Sequence, residues 1–158
     1  MNRREFLQNT LAATGAAALT ACGVKSGSDE IQVGEMTCRT TPSTGDKVSL
    51  LGYGMMRLPK LTDEEQIKKA GNDLDQEMIN ALVDRAMEAG VNYYDTSPAY
   101  CQGHSETATG IALARHDRGK WLVATKLSNF SPESWSREAS MRMYENSFRN
   151  LQVDVIDY

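Results

Sequence analysis

The sequence predicts an α/β fold built on parallel strands, and three observations lead to it. Short β-patterned runs at 48–53, 91–94 and 121–125 alternate with stretches of helical periodicity. Each intervening stretch can hold a crossover helix, so consecutive strands pair in parallel through right-handed connections. An acid, a phenol and an amine (Asp95, Tyr100 and Lys126) fall at or just past the strand ends. In α/β folds that edge of the sheet is where functional side chains gather.

The elements follow in order. Residues 48–53 read as the first strand. Its Gly52-Tyr53-Gly54 begins like a dinucleotide-binding turn, but Arg57 stands in place of the third glycine and Pro59 where a helix would open. It is not a Rossmann turn. Residues 60–74 are polar and charged, an exposed excursion. Asp75 caps a helix whose inward positions by period are Met78, Ile79, Leu82, Val83, Ala86 and Met87, and Gly90 ends it. Residues 91–94 form the second strand and deliver Asp95; 105–115 are the next helix; 121–125 form the third strand and deliver Lys126. Ser131-Pro132-Glu133 is an N-cap with proline at the first helical position. The helix it opens reaches about Asn150, with Trp135, Ala139 and Phe148 facing inward and 141–144 in the core. Residues 153–158 read as a fourth, buried strand, with no turn or cap after it. His104 and His116 are read as solvated loop residues.

Composition narrows the function. The chain has 158 residues, a formal net charge of −4 and 41% hydrophobic residues. There is no basic run outside the first residues, which argues against a nucleic-acid partner. No segment is long enough to span a bilayer.

The N-terminus carries its own signals. Asn2-Arg3-Arg4-Glu5-Phe6-Leu7 resembles a twin-arginine export motif. A mildly apolar stretch over 10–21 ends in Leu19-Thr20-Ala21-Cys22, which resembles a bacterial lipoprotein box. The organisation expected is an export signal over 1–21, a lipidated tether over 22–34 and a partial α/β domain, not active by itself, over 35–158. Acyl chains on Cys22 would hold the protein to a membrane surface in the periplasm or cell envelope.

The run Gly90-Val91-Asn92-Tyr93-Tyr94-Asp95-Thr96-Ser97, with Tyr100, Glu106 and Gly110 at fixed offsets, resembles the signature of the aldo-keto reductases. Leu50-Leu51-Gly52-Tyr53-Gly54-Met55-Met56-Arg57-Leu58-Pro59 resembles that family's first barrel strand and turn, and 36–47 its floor hairpin. Thr109 stands where the family usually has an apolar residue. Singly, each residue has a bland reading: an aspartate at a strand end is usually a cap, a lone tyrosine or lysine a rim residue. The ordered set carries the resemblance.

That resemblance implies a (β/α)8 barrel, of which about four strands, the N-terminal half, are present; a complete one needs about 250 residues. It implies NADPH-dependent reduction of a small aldehyde or ketone. Tyr100 is then the proton donor, assisted by Lys126, which Asp95 orients. A free phenol has a pKa near 10, and a neighbouring ammonium favours its ionised form. Of the family's cofactor contacts, Gly54, Met55, Met56, Asp95 and Lys126 are present. The substrate-orienting histidine is expected a few residues past Tyr158. Cys38 and Cys101 are expected at opposite ends of the barrel and unpaired. A second reading is an anchored, non-catalytic cofactor-binding or regulatory module, since some relatives are channel subunits. A third is a reductase fed by iron–sulfur modules, for which three cysteines, one of them lipidated, provide no cluster in this portion.

Overall fold

What reads as one strand over 48–53 is divided between two sheets. In the computed structural model, which describes residues 35–158, β1 (Cys38–Thr40) and β2 (Lys47–Ser49) form an antiparallel hairpin. Leu50 and Leu51 then bend into solvent, and β3 (Tyr53–Gly54) begins a separate parallel sheet. The export motif and Cys22 lie outside the described residues.

The hairpin is fixed to the start of the next strand by Asn92. Its side-chain carbonyl accepts from the Ser49 amide at 2.8 Å, its side-chain amide donates to the Lys47 carbonyl at 2.7 Å, and its backbone amide donates to Ser49 Oγ at 3.1 Å. Three bonds from one residue leave no register freedom. Gly90, just before, has φ 86°, and a Cβ there would lie 2.6 Å from Cβ of Met36. Only glycine meets both demands. The hairpin therefore sits at the N-terminal end of the strands.

The parallel sheet has the order β3-β4-β5, with β4 at Tyr93–Asp95 and β5 at Leu122–Ala124. Gly54 is in register with Asp95, and Asp95 with Ala124. The fourth strand expected near Asp154 is not formed as a regular ladder. The chain does run beside β5, where the Asp157 amide donates to the Val123 carbonyl at 3.1 Å and the Thr125 amide to that of Tyr158 at 3.1 Å. The Asp157 carboxylate itself accepts from the Val123 amide at 2.8 Å, taking the place a strand carbonyl would fill.

Helices cover one face. The excursion over 60–74 contains a helix, α1 (Glu64–Ala70), which buries no residue. Its base is closed by the Lys60–Leu74 bridge and the Lys60–Asp73 ion pair at 2.5 Å. Next, α2 (Gln76–Glu88) starts at the predicted cap, Asp75, whose carboxylate accepts from the Met78 amide at 3.0 Å. Its buried stripe is Ile79, Val83 and Ala86, narrower than the periodicity suggests. Met78 and Leu82, one position off that stripe, are exposed. Then α3 (Ser105–Leu113) packs between α2 and α4 (Arg137–Leu151). A Cβ on Gly110 would stand 2.7 Å from the Leu151 carbonyl carbon, so this glycine sets how closely α3 meets the end of α4.

The last helix corrects three readings. Ser131 caps only a single 3-10 turn, Pro132–Ser134, and α4 opens at a second cap, Ser136, whose hydroxyl accepts from the Ala139 amide at 3.1 Å. Two cap signals occur in succession, and the extended backbone of Ser136 (ψ 155°) breaks the first turn from the helix. Trp135 lies in that break and is 67% exposed rather than inward. Met141 and Tyr144 are exposed too, Tyr144 stacking edge-on against Phe148 at 4.9 Å. They are not core.

Candidate active site

At the C-terminal edge of the parallel sheet, one strand end presents a carboxylate and the next an amine. Asp95 closes β4, and Lys126 stands two residues past β5. Lys126 Nζ donates to Asp95 Oδ1 at 2.6 Å and to the Thr96 carbonyl at 2.8 Å. It also lies over the Tyr100 ring, 4.9 Å from the centroid. Partial burial works against the ammonium, but Asp95, and after it Tyr100, outweigh that and hold the Lys126 pKa above its ordinary value. The amine is therefore a fixed cation at neutral pH. The three catalytic candidates from sequence converge.

The loop carrying Tyr100 is unusual. Tyr100 opens a short turn, Tyr100–Gly103, in which Cys101 (φ 50°) and Gln102 (φ 56°) both take the left-handed conformation without being glycine. Such a pair is strained. The Cys101 thiol points to the Met56 carbonyl at 3.3 Å, tying this turn to the one after β3. Both Cys38 and Cys101 are free thiols.

Behind the mouth, a set of buried polar groups locks the strand ends together. Ser105 donates its hydroxyl proton to the Met55 carbonyl at 2.7 Å, so the Thr96 hydroxyl, 2.8 Å away, must donate to Ser105. All three residues are fully buried. Glu106 is buried as well, and its two carboxylate oxygens accept from Thr125 Oγ1 at 2.7 Å and Asn150 Nδ2 at 3.1 Å. Thr125 directly precedes Lys126, so Glu106 anchors the strand end that presents the amine. Thr109, the departure from the family pattern, is accommodated in the core by donating to the Ser105 carbonyl at 2.7 Å. Sequence reasoning missed the parts played by Thr96, Ser105, Thr125 and Asn150. A run of small hydroxyl residues directly after an apolar strand was the available signal.

The turn after β3 divides the expected cofactor contacts. Gly54 faces open space, with nothing within 4 Å of where a Cβ would be, and Met56 is exposed. Met55 is fully buried, its side chain in the core and its carbonyl taken by Ser105. His116 is also not the solvated loop residue expected: Nε2 lies 2.7 Å from Asp84. Burial raises the Asp84 carboxyl pKa, but Arg115 and His116 outweigh it and hold it below the usual value. His104 is exposed, as read. Tyr94 is a core phenol whose pKa is pushed up to about 12, mainly by burial.

Residues 50–158 match the aldo/keto reductase family. The chain belongs to that family. It is 30% identical over 122 residues to an L-galactose dehydrogenase of Arabidopsis thaliana, covering 75% of this chain and 35% of the relative. It is 29% identical over 93 residues to a probable voltage-gated potassium channel subunit beta of Oryza sativa subsp. japonica, covering 55% of this chain and 28% of the relative. Among solved structures, an aldo-keto reductase from Bacillus halodurans in its holo form superposes with a TM-score of 0.59 at 29% identity, over 77% of this chain and 38% of that one. Another from Klebsiella pneumoniae, in complex with NADPH, is similar in fold with a TM-score of 0.55 at 24% identity, over 77% of this chain and 38% of that one. These neighbours are (β/α)8 barrels, and the three parallel strands with their covering helices correspond to part of one. The chain spans about a third of the length of the curated relatives it matches.

Proposed function

We propose that the complete protein reduces a small aldehyde or ketone to the alcohol with NADPH, and that this chain supplies its proton-donating site. The observation that carries the reading is the Lys126–Asp95 pair at 2.6 Å, with the ammonium over Tyr100. NADPH, when bound, supplies the hydride that the carbonyl carbon takes up. Tyr100 gives its phenolic proton to the carbonyl oxygen and regains one from solvent, so the product is a neutral alcohol. Lys126 stabilises the negative charge left on the phenol oxygen, and Asp95 and the Thr96 carbonyl hold the amine in place. The residues present suit the nicotinamide end of the cofactor: Gly54 leaves open space at the turn, and Met56, Asp95 and Lys126 are partly exposed around it. Met55 can contribute only to the shape of the turn.

The second reading, a cofactor-binding module without turnover, has one observation in its favour, the relative named as a channel subunit. Incubating the complete protein with NADPH and a panel of small aldehydes decides between them. Loss of NADPH absorbance in step with alcohol formation is expected; binding of NADPH with no consumption would favour the module.

Two further parts of the proposal rest on motifs. The Arg3-Arg4 motif directs export, and lipid on Cys22 anchors the protein, supported by the two motifs standing in order ahead of a polar tether. Cys22→Ala should move the protein from the membrane to the soluble fraction, whereas retention after a carbonate wash would point to another attachment.

A further inference from the structure

Beside Tyr100 lies a cavity of 360 Å³ lined by Met56, Arg57, Leu58, Lys60, Tyr100 and Cys101, among others, with no aspartate or glutamate in its wall. Its two cations differ. Lys60 is held by Asp73 at 2.5 Å, which keeps it charged but spends its ammonium. Arg57 forms no ion pair among the described residues. A larger cavity, of 430 Å³, lies elsewhere, but its arginine, Arg118, is engaged by the Trp121 and Val155 carbonyls and by Asp157. The mouth cavity is thus where an unspent guanidinium, two apolar side chains and the proposed proton donor share one wall.

We propose that Arg57 selects acidic substrates: aldehydes or ketones that also bear a carboxylate. The guanidinium fork matches a carboxylate through two parallel hydrogen bonds. Met56 and Leu58 would cover the carbon skeleton, leaving the carbonyl towards Tyr100. The hydrogen bond from Cys101 to the Met56 carbonyl joins the two turns that form the walls, so the cavity does not depend on the ligand for its shape. This assignment of substrate class rests on the reductase reading, and its test separates the two.

The test compares para-carboxybenzaldehyde with its methyl ester as substrates of the complete wild-type protein and of Arg57→Met. Wild type should prefer the acid, and the variant should raise the acid's KM by about tenfold while changing the ester's by less than about twofold, as loss of a charge-assisted pair implies. Equal changes for both substrates, or no preference in wild type, would overturn the proposal while leaving the reductase reading intact. If neither aldehyde is reduced, the reductase reading fails instead, and calorimetric binding of para-(hydroxymethyl)benzoate decides the anion site. Weaker binding to Arg57→Met than to wild type upholds it; equal binding ends it. Arg57→Gln serves as the second variant should Arg57→Met not fold.

Discussion

Lys126 is the residue on which most of the site's physics converges. Its pKa is raised by Asp95 and Tyr100 against the pull of burial, so its contribution to stability has a definite sign. That contribution is complete below the unfolded lysine value of 10.5 and is lost as pH rises through the higher folded value. In the complete protein, the melting-temperature difference between the wild type and Lys126→Met should therefore be constant from neutral pH to about pH 9 and close above 10.5. A difference that closed nearer neutrality would mean the amine is not held as an ammonium. Glu106 makes a second test at this scale. Its buried carboxylate satisfies Thr125 and Asn150. In the complete protein, Glu106→Ala should cost about 1–3 kcal/mol for each donor left unpaired, read by denaturant unfolding.

Among the elements, those with strong local signals were legible in the sequence, and those decided by tertiary contacts were not. Asp75 announces α2 because an aspartate just ahead of a helical period is a strong cap signal, and its carboxylate does accept from the Met78 amide. Asp95, Tyr100 and Lys126 come together at the sheet edge because two strand ends and one short loop fix their positions. The division of the first apolar run was hidden. Nothing local in 48–53 says that Ser49 answers to Asn92, forty-three residues away. The same holds for Ser131 against Ser136: both are good caps, and only the break at Trp135 chooses between them. His116 read as solvated because its partner, Asp84, is distant in sequence, on α2. Two substitutions in the complete protein test the elements. Asp75→Ala should destabilise by about 0.5–2 kcal/mol through loss of the cap. Gly110→Ala should cost about 1–3 kcal/mol, because the new methyl meets Leu151 backbone rather than a side chain that can turn aside. A neutral Gly110→Ala, measured by thermal unfolding, would show that α3 and α4 can separate without loss.

On the scale of the molecule, the parallel sheet presents β3 at one edge, and beside β5 the chain is paired only in part. Leu50, Leu51, Leu127, Phe130 and Val155 are exposed. Open edges with exposed apolar side chains favour association. The chain by itself is therefore expected to self-associate and to unfold without a sharp transition, and a cooperative melt of a monomer would contradict that. The central claim is chemical: Tyr100 donates the proton at a mouth built by three strand ends. It is tested most directly by NADPH oxidation in a single turnover of the complete protein carrying Tyr100→Phe. The account predicts a rate lower by about 10²–10⁴-fold, as loss of a general acid implies, with NADPH affinity nearly unchanged. A variant that turned over within a few-fold of wild type would contradict it.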